Sequence, residues 1–405
     1  MRVTVVSHLY PAPGHERHLF VHEQVCALRD LGLEMTVLSP TAMTLGMARL
    51  HPRLRRRHAT PHRAVRDGIV AEYPRVPVLP RRLLFDRSGD LYYATLRRQL
   101  PALRAIAPDL LHAHQVMPDG AAAERLAADL GVPLVITVHG ADVYQHLRAG
   151  GRTAARTRQV LGGAAAVIAV SSKVAASLQD HVPAERLFVN LNGITGDPRP
   201  VSPADYLPGR RVLLTVGYLI ERKGHAVVLD ALRHLRDDGV AVEWAVAGDG
   251  PLRDSLATRA AELGIAGGVH FLGRLPHSEV LALMARADLF VLPSWDEAFG
   301  LVYTEAMVQG TPVVACRGEG VEDFVTDGES GYLVPPRDAA TLATVLSRAL
   351  GDEQERRRVG AAGRAAAAGL TWQRNADRQL EIYRAVLDRM HARTSRSDTG
   401  DEEHT

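Results

Sequence analysis

The chain has 405 residues, of which 46% are hydrophobic and 23% charged, with a formal net charge of +2. That length suits two domains, and that balance excludes a disordered or fibrous chain. The two cysteines, Cys26 and Cys316, offer neither a disulfide framework nor a zinc-binding spacing, and no apolar run approaches the ~20 residues that span a bilayer.

Met1 leads straight into the strand-like "RVTVVS", with no apolar stretch of signal-peptide type, so a cytoplasmic location is expected. Further short apolar runs follow: "MTVLS" (35–39), "DLLHAH" (109–114), "PLVITVHG" (133–140), "AAVIAVS" (165–171) and "LFVNLNG" (187–193). Segments with helical spacing lie between several of them, such as Glu23 to Leu31 and Ala121 to Leu130. Strand–helix alternation with nearly continuous Val, Ile and Leu is the pattern of a doubly wound α/β domain with a parallel sheet covered on both faces.

The pattern breaks at "GITGDPRPVSPADYLPGRR" (193–211), whose four prolines and three glycines cannot sustain a helix. It restarts with "VLLTVG" (212–217), "VEWAVAG" (242–248), "VHFLG" (269–273), "LFVLPS" (289–294) and "TPVVAC" (311–316). The expected organisation is therefore two Rossmann-like domains, 1–195 and 212–370, joined by a linker at 196–211 and facing a central cleft. A helix over 371–393 carries Trp372, Leu380, Tyr383 and Leu387 on one stripe and is expected to pack back on the first domain. The polar tail 394–405 is expected to be disordered.

Charge is placed unevenly. Residues 1–200 hold 25 Lys and Arg against 16 Asp and Glu, and the remainder holds 23 against 30. The basic excess gathers between residues 53 and 104, including Arg81 and Arg82. A solvated loop explains it, as does peripheral contact with an anionic membrane or acceptor through residues 53–63 and 81–82. No aromatic residues interleave with these arginines, so nucleic acid is not expected as a partner.

Three segments carry chemistry. In "PSWDEAFGLVYTEAMVQGTPVVA" (293–315) a strand ends near Ser294, a loop carries Glu297, and a helix starts near Phe299–Gly300. The free amides of that first turn and the positive end of the helix dipole form an anion site at the carboxyl edge of the sheet, where open parallel sheets bind ligands. Glu305, a turn and a half into the helix, can accept from a ribose diol, and Glu297 from sugar hydroxyls. In "VGYLIERKGH" (216–225), Arg222 and Lys223 stand just before a helix start; cations there oppose the dipole unless an anion is bound between them. In "TVHGADVY" (137–144), His139 ends a buried strand, with Gly140 for a sharp turn and Asp142 as a partner. His112 and His114 end the preceding strand, but no carboxylate has ligand spacing to them, so no metal is expected.

These segments, in this order, resemble the glycosyltransferases of family four, which have the GT-B fold. The family's Glu-x7-Glu signature matches Glu297 to Glu305, and its phosphate motif matches Gly217, Leu219, Lys223 and Gly224. "NGI" (192–194), "AGDGPL" (247–252), "FLGRLP" (271–276) and "DGESGYLVPPRD" (327–338) stand where the family has them. The resemblance implies a retaining, metal-independent transferase whose nucleotide-diphosphate sugar is a substrate, with no cofactor.

By position it implies that Lys223 binds the donor diphosphate, Glu305 the ribose and Glu297 the transferred sugar. Ala298 and the amides around Phe299, Gly300 and Leu301 would touch phosphate or sugar, and Arg274 and Leu275 would border the base. His139 would meet the donor sugar near its anomeric carbon. Two positions depart from the family. Its phosphate-binding arginine is Tyr218 here, so Arg222 is expected to supply that charge. The first loop, "YPAPGHERH" (10–18), has Gly14 alone where the family often has paired glycines, which brings Glu16 and His18 forward, with Asp142, as acceptor contacts. The acceptor is expected to be a cell-surface glycan or glycolipid, or a natural product such as an aminocyclitol. A nucleotide-sugar 2-epimerase of the same fold and a non-catalytic sugar-binding protein are the alternatives. A nicotinamide dehydrogenase would need Gly-x-Gly-x-x-Gly, and "GDGPLRD" from Gly248 lacks the third glycine.

Overall fold

The computed structural model describes residues 1–13, 19–43, 60–78, 84–194 and 211–400, with side chains to residue 392. Gly14, Glu16 and His18, expected at the acceptor, lie outside these residues, as do the basic positions 53–59, 81 and 82. The chain divides into two compact units, Met1–Gly193 with Trp372–Thr405, and Ile194–Thr371.

The first unit is built on eight strands: β1 (Arg2–Val6), β2 (Glu34–Leu38), β4 (Arg63–Arg66), β5 (Ile69–Glu72), β7 (Leu110–His114), β8 (Leu134–Val138), β9 (Ala166–Ala169) and β10 (Leu187–Val189). Their order is β10-β9-β8-β7-β1-β2-β5-β4, and every pairing is parallel except β4 with β5. The central strands β7, β8 and β9 are buried at every residue, as their unbroken apolar character requires. A separate pair joins β3 (Thr41–Met43) to β6 (Arg75–Pro77).

The antiparallel edge is a hairpin in a region read as loop. Asp67 and Gly68 have φ of +48° and +76°, the left-handed pair of a type I′ turn. Asp-Gly between alternating segments is the sequence signal of such a hairpin. Arg63, exposed on β4, stands 3.5 Å from Glu72.

The C-terminal helix Trp372–Gly400 contributes to the first unit's core through Trp372, Ala376, Ile382, Tyr383 and Val386, with Leu380 and Leu387 packed beside them. The boundary expected at residue 393 falls inside this helix. Polar contacts fix its register: the Gln24 amide donates to Asn375 Oδ1 at 2.7 Å, and Asn375 Nδ2 donates to the Leu191 carbonyl at 2.7 Å. Among the described residues no helix is long and apolar enough to cross a membrane.

The second unit repeats the plan with six parallel strands: β11 (Val212–Val216), β12 (Glu243–Ala247), β13 (Val269–Gly273), β14 (Leu289–Val291), β15 (Val313–Cys316) and β16 (Tyr332–Val334). Their order is β13-β12-β11-β14-β15-β16. The order reverses beside β11, whose two neighbours are β12 and β14. Loops after β11 and β14 therefore leave the same edge at a topological switch point, where such sheets bind ligands.

Candidate active site

At that edge β11 runs into Gly217, whose amide donates to the Ala247 carbonyl at 3.0 Å, while the Leu219 amide donates to Asp249 O at 3.1 Å. Leu219 is buried and anchors the turn; Tyr218 faces outward, 52% exposed. The loop after β12 lies so close that a Cβ on Gly248, at φ +151°, would stand 1.8 Å from the Gly217 carbonyl oxygen. The glycines of "GDGPLRD" thus serve backbone-to-backbone packing: a Cβ on Gly250 would likewise lie 2.5 Å from the Leu219 carbonyl oxygen.

A single 3-10 turn, Glu221–Lys223, then delivers Lys223 to Gly224 and the helix His225–Asp237. Two bonds knit this turn to the loop after β14: the Trp295 amide donates to Arg222 O at 2.9 Å, and Arg222 Nη1 donates to Asp296 O at 3.3 Å. Lys223 Nζ is thereby brought onto Glu297, and the two form an ion pair in which each side chain is less than a sixth exposed. Ser294 Oγ donates to the same carboxylate at 3.1 Å. Burial alone would raise the Glu297 carboxyl; the Lys223 ammonium, then Arg222 and Ser294, outweigh it and hold the group below its ordinary value. The Glu297 amide donates to Glu319 Oε2 at 2.7 Å, and its carbonyl accepts from Gly320 N at 3.1 Å. Both ends of the glutamate backbone are therefore fixed.

Three residues on, Gly300 (φ +88°) opens the helix Leu301–Val308 with no side-chain cap. Its first amides and the positive end of its dipole lie beside the loop that holds Glu297, the arrangement in which a helix start can receive an anion. Phe299 is buried against Phe324, and Ala298 and Leu301 are half-buried on either side. Glu305 is half-exposed with His277 Nε2 3.1 Å away. Arg274, exposed after β13, stands 3.5 Å from Asp249; Leu275 beside it is half-buried. The second unit therefore gathers Lys223, Arg222 and Glu297 tightly, with Glu305, Arg274 and Leu275 on the same unit and Tyr218 pointing to solvent. Ser294 and Glu319 were not legible in advance, because their roles depend on which way two loops fold.

The first unit has its own polar cluster at the carboxyl ends of β1, β7 and β8. His139 Nε2 lies 3.0 Å from His114 Nδ1, with the rings stacked at 5.2 Å. His112, on the same face as His114, meets Thr137 Oγ1 at 2.8 Å and the Tyr383 hydroxyl at 2.7 Å. Burial pushes His112 down to about 3 and His114 well below its ordinary value, so both are neutral near pH 7. Asp142 is fully buried and accepts from the amides of Val116 and Met117 at 3.0 and 3.2 Å. These bonds hold the loop after β7, and His146 Nδ1 lies 3.4 Å from the same oxygen.

Sequence reading also missed a pair here: His8 bonds Asp119 Oδ2 through its amide at 3.1 Å and its Nδ1 at 2.6 Å. Asp119 is wholly buried, which raises its carboxyl, while His8 opposes that rise. Its proximity to a strand-end histidine 111 residues earlier leaves no mark on either local segment.

Residues 205–366 match the group 1 glycosyl transferase domain, and residues 14–196 match the domain of glycosyltransferase family 4. Glycogen synthase of Mycobacterium tuberculosis is 32% identical over 71% of this chain and 72% of its own. The 2-deoxystreptamine N-acetyl-D-glucosaminyltransferase of Streptomyces fradiae is 30% identical over 89% of each chain. Among solved structures, Anabaena HepE in complex with UDP superposes with a TM-score of 0.72 at 20% identity, covering 95% of this chain and 100% of that one. The shared fold is GT-B.

Proposed function

Since the chain belongs to the group 1 glycosyltransferases of family 4, we propose that it moves a sugar from a nucleoside-diphosphate donor to an acceptor hydroxyl with retention at the anomeric carbon, without a metal ion. The observation that carries this reading is the Lys223–Glu297 pair beside the helix start at Gly300. A cation, a hydroxyl-accepting carboxylate and a row of helix-end amides are what a sugar diphosphate presents itself to.

Cleavage breaks the bond between the anomeric carbon and a phosphate oxygen and leaves the electron pair on the diphosphate. Lys223, Arg222 and the amides at Leu301 stabilise that charge, the role a divalent ion fills elsewhere. The acceptor hydroxyl attacks from the face the diphosphate leaves, and its proton passes to the departing phosphate oxygen. Glu297, shared until then with Lys223, takes the sugar's hydroxyls; Glu305 takes the ribose. His139 is the first unit's catalytic candidate. The UDP of the Anabaena neighbour and the transfer chemistry named for the two relatives support a nucleotide-sugar donor and a glycan or aminocyclitol acceptor.

A thermal-shift screen across nucleoside diphosphates and their sugars should show stabilisation by one nucleotide family, by RT ln(1 + [L]/Kd). No shift with any of them would sink the donor assignment. Initial rates should be unchanged in EDTA; a collapse there would refute the metal-free mechanism. Arg222→Ala should weaken donor binding by roughly 10–100-fold, the range for one charge-assisted hydrogen bond of 1.5–3 kcal/mol. Tyr218→Phe should leave it alone, and the reverse pattern would assign the phosphate contact to Tyr218.

A further inference from the structure

A second cluster of chemically capable side chains lies in the first unit, outside the residues assigned to the transfer reaction above. His22, buried, and Cys26, half-buried, stand one turn apart on the helix Leu19–Asp30, where residues i and i+4 are neighbours. Asp67 comes to them from the type I′ turn between β4 and β5. Its carboxylate lies 2.8 Å from His22 Nε2, and Cys26 Sγ lies 3.5 Å from the same nitrogen. The three ligand atoms all fall within 4.8 Å of one another.

We propose that His22, Cys26 and Asp67 form a binding site for a thiophilic divalent cation of the zinc class. An imidazole, a thiolate and a carboxylate within this span match a tetrahedral ion with bonds of about 2.0–2.3 Å, and the sulfur disfavours magnesium and calcium. Asp67 is on the outside, so the fourth position is open to water.

The surroundings are those of a built ligand set. The buried Tyr10 hydroxyl holds His22 Nδ1 at 2.6 Å, the outer contact that fixes which nitrogen faces a metal. Arg29, on the same helix, donates to the Asp67 carbonyl and pins the turn while leaving its carboxylate toward His22. In the metal-free protein the Asp67 carboxylate can only accept, so His22 carries its proton on Nε2 and Nδ1 accepts from Tyr10. Metal entry moves that proton to Nδ1, with the Tyr10 oxygen as its acceptor, and releases the Cys26 thiol proton to water. The ion, thiolate and carboxylate together are neutral. Asp67 surrenders its hydrogen bond with His22 Nε2 at 2.8 Å, which the metal bonds replace, and its pairing with Arg66 at 3.8 Å, an exposed contact worth at most about 1 kcal/mol.

Cobalt(II), the spectroscopic stand-in for zinc, tests this on the full-length, chelator-treated protein. One equivalent should produce a near-ultraviolet thiolate-to-cobalt charge-transfer band and the intense visible bands of four-coordinate cobalt, both bleached by zinc. Cys26→Ala should abolish the charge-transfer band and Cys316→Ala should keep it. Tyr10→Phe should weaken the apparent affinity about 10–100-fold, as loss of an outer-sphere partner does. Zinc should also shield Cys26 from a thiol reagent. Absence of the charge-transfer band in the wild-type chain, or its survival in a folded Cys26→Ala variant, overturns the site. The readout is independent of sugar transfer: EDTA should lower the melting temperature of the zinc-loaded protein and leave the initial transfer rate unchanged.

Discussion

Lys223→Ala should lower turnover by roughly 10²–10³-fold, the loss that follows removal of one preorganised donor at a developing oxyanion. The same substitution has a second consequence, because Lys223 is also the partner of a nearly buried carboxylate. Removing one member of such a pair leaves the other uncompensated and destabilises a protein by about 3–5 kcal/mol. The second unit should therefore unfold at lower urea concentration in the variant at pH 7. Glu297 is held below its ordinary value in the folded protein, so the pair contributes stability above the ordinary carboxyl range and loses it as pH falls through the lowered value. The stability gap between wild type and variant should accordingly close as the pH is taken below that range. Near-normal turnover in Lys223→Ala would remove Lys223 from the diphosphate, whereas a stability gap that persists in acid would remove Glu297 as its partner. The two readouts separate catalysis from packing.

Gly248→Ala should be the most damaging single methyl in the second unit. The new Cβ would lie 1.8 Å from the Gly217 carbonyl oxygen, in a backbone already fixed by the bonds Gly217 N to Ala247 O and Gly248 N to Gly273 O. Neither side can yield without breaking these bonds, so the expected loss exceeds about 3 kcal/mol, and donor binding should fall with it as the turn before Lys223 shifts. Gly239→Ala is the control. Gly239 also has positive φ, +76°, but a Cβ there meets nothing within 4 Å, so only the backbone strain of about 1–2 kcal/mol remains. Chemical denaturation of the two variants reads the difference. Equal losses would mean that φ, and not the collision, sets the requirement for glycine after β12.

The parallel sheets were legible because burial on both faces demands unbroken apolar runs, and "DLLHAH", "PLVITVHG" and "TPVVAC" show them without reference to anything distant. The local geometry behind the proposed donor site was legible for a related reason. Lys223 and Glu297 each sit in a short strand–turn–helix segment whose geometry is local, and the loops after β11 and β14 meet once the strands are neighbours. The hairpin at Asp67–Gly68 was also written locally and was passed over amid a basic stretch read as loop. Asp142 takes its bonds from a distant loop. A carboxylate three residues after His139 reads as its partner, yet the π-helical turn Asp142–Leu147 aims it at the amides of Val116 and Met117.

Local sequence determined the two Rossmann-like sheets, the helix starts at Gly224 and Gly300 and the residue types of the proposed donor site, since each depends on periodicity or backbone freedom within a few residues. Tertiary structure alone decided the pairings. Lys223 with Glu297, His8 with Asp119, His114 with His139 and His22 with Asp67 join residues 25 to 111 positions apart. Whether two such side chains touch depends on strand order and loop direction, and those are set by the packing of the whole sheet edge rather than by either segment.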